Sequence, residues 1–306
     1  MGLSTVGIFK QIKPKNAVVL TPEELQQLQA TLNGMLADMA ECCRKHNITF
    51  LLGGGSCLGA VRHHGFIPWD DDVDVNMPRE DHDRFVEIFK REYGDRYWVH
   101  TPQETENYGL TLSRILLKGT SVRTREDFQN KECGAFIDIF PIENTYDNVL
   151  LRRIHGIRCM AAGFLQSCAK FKRDAGELME LAECIEDPAE REQCRRIFRL
   201  KIRIGRLTAF RSFDGWTAHC DRVYRSCRES SSSYVTIPSG RGHFFRETYR
   251  REELLPPVSM AYENTFYPVA ADYECYLTRL YGDYRRIPKE SEREKHVFFA
   301  PFWLQQ

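Results

Sequence analysis

The sequence has no apolar stretch long enough to cross a lipid bilayer. Its longest apolar run, residues 48–61, is broken by glycines and is shorter than the ~20 residues that a spanning helix needs. The first residues lack a positively charged start followed by an apolar core, so we expect no signal peptide. Basic and acidic residues number 43 each, and this zero net charge gives no indication of nucleic-acid binding.

Cysteines at metal-binding or redox spacing are also missing. The chain has eleven cysteines, an odd number, and none belongs to a CxxC motif. A disulfide scaffold or a structural zinc site would need cysteines in regular pairs. We therefore expect reduced thiols and a cytoplasmic protein.

Four aspartates fall within five residues, directly after a glycine-rich turn. Asp70, Asp72 and Asp74 alternate along a segment that the pattern predicts to be extended, and side chains at this spacing share one face of a strand. Asp71 would then point to the opposite face. Like charges on one face repel each other unless a cation lies among them. Oxygen ligands without histidine or cysteine favour Mg²⁺ or Mn²⁺.

The turn before these aspartates is predicted to hold a phosphate. Gly53, Gly54 and Gly55 let backbone N–H groups approach an anion closely, and Ser56 would cap the following helix and add its hydroxyl. A phosphate site beside metal-binding carboxylates indicates a metal-dependent enzyme that acts on a nucleotide-linked phosphate. A solvated acidic loop is the simpler alternative, but Val73 and Val75 alternate with the aspartates as buried strand residues do.

A later apolar run, residues 134–141, contains one aspartate, Asp138. A buried aspartate is costly unless it is paired or bound to a metal. If this strand lies beside Asp72 and Asp74, Asp138 joins the site as a metal ligand or as the base for the attacking hydroxyl. Arg114 and Lys118 are spaced to reach a phosphate in the same cleft, although surface charges on an edge strand explain them equally well.

Several segments resemble, in order, the motifs of the LicD family. The longest is residues 59–75, GAVRHHGFIPWDDDVDV; the others are FIDIFP at 136–141, Tyr267-Pro268 with residues 272–277, and YGDY at 281–284. The resemblance extends from about residue 50 to about residue 296. It implies a nucleotidyltransferase-like fold and transfer of a phospho-substituent, commonly phosphocholine from CDP-choline, to a glycan. The related fukutin-related proteins use CDP-ribitol.

Together, pattern and resemblance predict an α/β (α+β) protein with a nucleotidyltransferase-like mixed sheet flanked by helices. Residues 1–47 form an N-terminal segment and a helix that starts at Thr21, and residues 48–149 form the catalytic core. Residues 150–229 are a helical region for acceptor docking, with seventeen basic against ten acidic residues over 151–228. Residues 230–306 return to the core through a strand at 258–267 and a helix at 272–281. Residues 281–286 and His296 are then expected to close over the cleft.

From the aspartate pattern we assign catalysis to Asp72, Asp74 and Asp138, which with Asp70 would hold Mg²⁺ or Mn²⁺. The predicted substrate-binding residues are Gly54, Gly55, Ser56, Arg62, Trp69, Arg114 and Lys118. Trp69 is the preferred wall for a choline cation, ahead of Phe66, Trp98 and Trp216. The LicD family often has a lysine at the position of His64. Whether His64 makes the phosphate contact expected of that lysine is left open.

The expected partners are a CDP-activated alcohol and a glycan or lipid-linked glycan, such as a lipopolysaccharide or teichoic-acid precursor; nucleic acid is not expected. A basic helix would dock an anionic acceptor or the inner face of the membrane. Its basic residues are Arg195, Arg196, Arg199, Lys201, Arg203 and Arg206. Nucleotidyl transfer from an NTP, a DxD glycosyltransferase and a non-catalytic binding module are the alternatives.

Overall fold

The structure is a computed structural model that describes residues 17–124, 130–293 and 296–304. In chain order the strands are β1 (Ala17–Val18), β2 (Leu51–Leu52), β3 (Val73–Pro78), β4 (Tyr97–His100), β5 (Ser113–Leu117), β6 (Ser121–Thr124), β7 (Phe136–Thr145), β8 (Tyr234–Thr236), β9 (Thr248–Arg250), β10 (Val258–Tyr262), β11 (Thr265–Val269) and β12 (Phe298–Trp303). The helices are α1 (Pro22–Lys45), α2 (Gly54–His63), α3 (Arg79–Tyr93), α4 (Val149–Arg173), α5 (Ala175–Glu183), α6 (Pro188–Leu207), α7 (Phe213–Tyr224), α8 (His243–Arg246), α9 (Arg251–Leu254) and α10 (Tyr273–Tyr281).

A mixed sheet forms the centre of the fold. Strands β2, β3, β7, β5 and β4 lie side by side in that order, and β8 and β9 extend the sheet beside the second half of β7. The pair β3–β7 is parallel, whereas β2–β3, β5–β7 and β4–β5 are antiparallel. This sheet with its flanking helices confirms the predicted α/β class.

Helix α1 begins where the sequence predicts. The Thr21 hydroxyl accepts the N–H of Glu24 at 3.2 Å, and the Glu24 carboxylate accepts the N–H of Thr21 at 2.8 Å. This reciprocal pair satisfies two N–H groups that the start of a helix would otherwise leave without partners. The apolar stripe of the helix is core, with buried Leu28, Leu32, Met35, Leu36 and Met39.

We expect Thr21→Ala to lower the free energy of unfolding by about 1 kcal/mol, the usual cost of losing a helix cap. Urea denaturation followed by circular dichroism measures this change. Thr31→Ala is the matched control, because Thr31 lies within the same helix and its hydroxyl bonds only to a backbone carbonyl one turn earlier, that of Gln27. An equal loss in both variants would contradict the capping role.

Helices α4 to α7 form the predicted helical region and bury a small core of their own. Phe171 of α4 packs edge to face on Phe198 of α6, with 5.1 Å between ring centroids, and Leu178 and Ile202 are buried beside them. This small core is separate from the main hydrophobic core around the central sheet.

The basic cluster of α6 is partly neutralised within this region. Lys201 is buried, and its amine donates to the hydroxyl of Ser167 at 3.1 Å. Arg195 and Arg199 both form ion pairs with Glu192. This helix therefore presents less free positive charge than its sequence indicates.

Residues 258–267, predicted as one strand, form the hairpin β10–β11 instead. Its turn includes Glu263, whose φ of 52° lies in the left-handed region. The predicted C-terminal helix is confirmed as α10, and Asp272 caps it by accepting the N–H of Cys275 at 2.9 Å. Strand β12 pairs with both β1 and β6, which brings the end of the described chain back to the core.

The eleven cysteines are all free thiols, and most are buried, so the expected absence of a disulfide scaffold is confirmed. Within the described residues, no helix combines the length and apolarity that crossing a membrane requires.

Candidate active site

The glycine turn between β2 and α2 packs directly against carboxylates. Gly53 is the N-cap of α2, and Gly54 has a φ of 41°, in the region that favours glycine. A Cβ atom on Gly54 would lie 2.6 Å from Oδ2 of Asp74, and one on Gly55 would lie 3.0 Å from Oδ2 of Asp70. Glycine is therefore required here because the backbone approaches two aspartates closely.

Ser56 fastens this turn to β3 and does not cap the helix. Its hydroxyl accepts the N–H of Asp74 at 2.9 Å, and the N–H of Gly53 donates to the Asp74 carbonyl at 2.8 Å. The predicted capping role is wrong because α2 begins at Gly54, which leaves Ser56 buried in the first turn. The N–H of Gly54 donates to the Tyr276 hydroxyl at 2.9 Å, so two N–H groups of the predicted phosphate cradle bind the protein itself.

Strands β3 and β7 bring two aspartates side by side. Asp74 and Asp138 are neighbours in the parallel register, as the sequence predicts. Arg114 lies opposite Asp138 on β5 and donates to both of its carboxylate oxygens, from Nε at 2.6 Å and from Nη2 at 2.9 Å. Arg114 thus makes the buried Asp138 tolerable. The phosphate contact predicted for Arg114 is replaced in this structure by a contact with a carboxylate.

Asp70, Asp71 and Asp72 precede β3, which begins at Val73, so the expected strand alternation fails in this stretch. Asp71, expected to point away, lies with Asp72 around His296. The Asp71 carboxylate accepts the N–H of His296 at 2.9 Å and lies 2.8 Å from its Nδ1. Asp72 Oδ2 lies 3.7 Å from the same nitrogen. These three side chains offer ligand atoms within 4.8 Å of one another, and Asp72 is the member of this group that the predicted metal ligands include.

The buried carboxylates raise each other's pKa. Burial, followed by the charge of Asp72, raises the pKa of Asp70 and of Asp74 well above the usual range. Burial raises the pKa of Asp72 to about 6, although the charge of His296 opposes it. Burial disfavours the charged form of His296, but the Asp72 charge and the bond to Asp71 outweigh it and raise this pKa to about 10. Excess negative charge of this kind is relieved by a hard divalent cation.

A cleft of about 400 Å³ opens beside Gly55 and Asp70. Trp69 forms part of its wall, as predicted, together with Tyr281 and Tyr284. The charged lining side chains, besides Asp70, are Arg62, Arg241, Asp283, Arg286, Glu292 and Arg293. Arginines beside aromatic rings suit a ligand that carries both phosphates and a cationic group.

Arg62 ties the C-terminal segment to the cleft. Its Nη1 donates to the carbonyl oxygens of Tyr284 at 2.9 Å and of Arg286 at 3.2 Å. The Arg241 guanidinium lies 5.4 Å from the Tyr281 ring centroid and closes the same wall. The predicted YGDY segment therefore completes the cleft, and Arg62 acts on it through backbone carbonyls.

Lys118 lies away from the cleft, contrary to the prediction. Its amine donates to a backbone carbonyl in the turn before β4 at 2.6 Å and lies beside the Trp98 ring. Arg114 and Lys118 therefore bind different partners, a carboxylate and a backbone carbonyl. Phe66 and Trp216 are buried core side chains, which leaves Trp69 as the member of the predicted aromatic set that lines the cleft.

The sequence predicts that residues 281–286 and His296 lie over the cleft, but it does not assign three other side chains to the site. Arg241 and Arg293 line the cleft, and Tyr276 binds the glycine turn. Gly240 and Gly242 could have drawn attention to Arg241, because glycines on both sides of a residue indicate that the backbone approaches another group closely.

That group is the buried carboxylate of Glu247. The N–H of Gly242 donates to Glu247 Oε1 at 2.5 Å, and a Cβ on Gly240 would lie 2.5 Å from either carboxylate oxygen. Burial raises the pKa of Glu247 to about 7, although the Gly242 N–H and two neighbouring arginines act to lower it. The loop that places Arg241 at the cleft therefore packs around the carboxylate of Glu247, which can gain or lose a proton.

Because the folded protein keeps the Glu247 proton up to about pH 7 and the unfolded chain releases it near 4.5, stability should fall as pH rises through this window. We expect Glu247→Gln to remove about 3 kcal/mol of this pH dependence. Urea denaturation at pH 4.5 and pH 8 measures it. Glu252→Gln, at an exposed site nearby, is the control, and the prediction fails if both variants retain the wild-type pH dependence.

The chain is similar to proteins of one family. A family model described as LicD/FKTN/FKRP, nucleotidyltransferase domain, matches residues 47–154. The lipopolysaccharide cholinephosphotransferase LicD of Haemophilus influenzae is 24% identical over 281 residues, which cover 89% of this chain and 95% of the relative. An uncharacterized protein of Rickettsia prowazekii is 34% identical over 44% of this chain and 46% of its own length. The matched domain contains the glycine turn, the aspartate loop and both central carboxylate strands. Residues 47–154 therefore match the nucleotidyltransferase domain of the LicD family, and the similarity to a LicD protein extends over most of the chain.

Proposed function

We propose that this protein is a LicD-type phosphotransferase that moves phosphocholine from CDP-choline to a glycan hydroxyl and releases CMP. The observation that carries the proposal is the carboxylate cluster packed between a glycine turn and a cleft lined by arginines and aromatic rings. The name of the Haemophilus relative, a cholinephosphotransferase that acts on lipopolysaccharide, supports this choice of transferred group and acceptor class.

The proposed cofactor is Mg²⁺ or Mn²⁺, held by Asp72, Asp74 and Asp138 with Asp70. The fit rests on the donor set, because carboxylates that raise each other's pKa without enough cations around them are a strong site for a hard divalent ion. When bound, such an ion neutralises the donor's diphosphate and makes its phosphorus more susceptible to attack.

The chain's own residues would bind and orient the donor. The arginines of the cleft wall suit the diphosphate, since guanidinium groups bind phosphate oxygens in pairs. In the structure the Arg293 guanidinium lies 4.1 Å from the Trp69 ring centroid, so this ring face accepts a cation. A quaternary ammonium group would take the same position, with Tyr281 and Tyr284 beside it.

Asp72 suits the role of proton acceptor better than Asp138 does. Both Asp138 oxygens already accept hydrogen bonds from Arg114, whereas Asp72 contacts His296 only at 3.7 Å. Asp72 therefore keeps oxygen lone pairs available to accept a proton from the attacking hydroxyl. Asp138 then serves to fix the geometry of the cluster.

The acceptor is proposed to be a cell-surface glycan precursor, such as that of lipopolysaccharide or teichoic acid, met at the inner face of the membrane. The test is CMP release from CDP-choline, CDP-ribitol and CDP-glycerol with Mg²⁺, with EDTA as the control. We expect metal-dependent release that is fastest from CDP-choline and accelerates with a glycan acceptor. Pyrophosphate release from an NTP, or turnover of a UDP-sugar, without CMP release from any donor would overturn the proposal.

A further inference from the structure

Helix α4 exposes a row of large apolar side chains. Leu150 and Ile157 lie two turns apart and are 66% and 63% exposed, and Ile154 lies between them on the same side of the helix. We call this row, with its flanking residues, the apolar face of α4; the flanking residues are Val149, Leu151 and Met160. The opposite side of the helix already packs on α6 and α7, so the apolar face is not needed for the local core.

The charge on this helix has one sign. Its 25 residues include six lysines and arginines and no aspartate or glutamate. Arg153 and Arg158 are exposed and flank the apolar row on its two sides. The acidic residue just before the helix, Asp147, is engaged, because its carboxylate accepts the N–H of Ser233 at 2.8 Å. The apolar face therefore lies in a positively charged surround.

A short segment links the apolar face to the cleft. Arg241 lines the cleft, and Phe245, four residues later, is exposed beside α4. Phe245 lies against α4, since a Cβ on Gly156 would lie 2.6 Å from the Phe245 ring. Four extended residues span at most ~14 Å, so the cleft and the apolar face are near each other on the molecule.

We infer that the apolar face of α4 docks the protein on an anionic phospholipid bilayer. Leu150, Ile154 and Ile157 enter the interface, and Arg153 and Arg158 bind lipid phosphates. Helices with an apolar face flanked by arginines bind membranes in this way, and each basic residue near an anionic surface strengthens binding. The inference goes beyond the proposed function, but it would bring the cleft close to a lipid-linked acceptor.

The test is flotation of the full chain with vesicles of phosphatidylcholine alone and of phosphatidylcholine mixed with phosphatidylglycerol. We expect binding to the anionic vesicles only, and weaker binding as salt is added. The double variant Arg153→Gln/Arg158→Gln should lose roughly 25-fold in vesicle affinity, about fivefold for each charge. Leu150→Gln/Ile157→Gln should lose at least about tenfold, because less apolar surface enters the interface.

The matched control is Leu207→Gln/Phe210→Gln, which changes two side chains that are 81% and 80% exposed at the end of α6. It should bind vesicles as the wild type does. Equal binding to both vesicle types, or an equal loss in the control variant, overturns the inference. So does a wild-type dimer that Leu150→Gln/Ile157→Gln converts to a monomer, which would assign the face to self-association. CMP release from soluble donor should be unchanged in every variant, so failure of docking is distinguishable from failure of the proposed function.

Discussion

Asp72→Asn is expected to lower CMP release by about 10³-fold, because a divalent ion held by these carboxylates contributes several kcal/mol to the transition state. The same change should stabilise the metal-free protein by about 1 kcal/mol, since it removes one of several like charges whose burial is unfavourable. Steady-state CMP release and urea denaturation in EDTA measure the two effects. Lost activity with gained stability would identify Asp72 as a functional residue.

Metal binding supplies an independent readout. Added Mg²⁺ should raise the melting temperature of the wild type, and this rise should be much smaller in Asp72→Asn because one ligand is missing. Asp95→Asn, an exposed aspartate in the turn before β4, should change neither activity nor the response to Mg²⁺. A stable Asp72→Asn protein with wild-type turnover would remove Asp72 from the site.

The sequence predicts the centre of this site because short-range patterns determine it. Asp138 lies in an apolar run, so its buried carboxylate needs a charged or polar partner. The parallel register places it beside Asp74. The glycine turn and the aspartate loop lie within one short stretch, so their proximity is largely local. The pattern does not predict where β3 begins. Because the strand starts at Val73, Asp71 and Asp72 precede it and do not follow its alternation of faces.

The parts that sequence reasoning missed depend on long-range register. Arg114 and Lys118 looked equivalent, yet only the antiparallel alignment of β5 with β7 places Arg114 opposite Asp138. His296 was expected over the cleft, but its contact with Asp71 depends on the pairing of β12 with β6, which no spacing along the chain reveals. The hairpin at Glu263 was missed for a local reason, since a non-glycine residue takes the left-handed conformation at its turn.

The second large effect is expected from the buried pair Arg114–Asp138. Arg114→Met should lower the free energy of unfolding in EDTA by about 3–5 kcal/mol, because it leaves a buried carboxylate without its cation beside other carboxylates. Asp138→Asn should be milder, at roughly half that loss, since Arg114 still lies near the charge of Asp72. Urea denaturation of both variants at pH 8 measures the difference.

The double variant Arg114→Met/Asp138→Asn separates pairing from packing. Its loss should be smaller than the sum of the single losses, because the second change removes the charge that the first leaves unpaired. Lowering the pH to 5 should recover part of the stability of Arg114→Met. Burial raises the pKa of Asp72 and the Arg114 charge lowers it, so this pKa should rise further when Arg114 is replaced. The carboxylates of the variant would then bind protons at higher pH than those of the wild type, and protonation removes their repulsion. Additive losses without pH recovery would show that Arg114 supports the sheet by packing alone, and the charge balance derived for the carboxylate cluster would then be wrong.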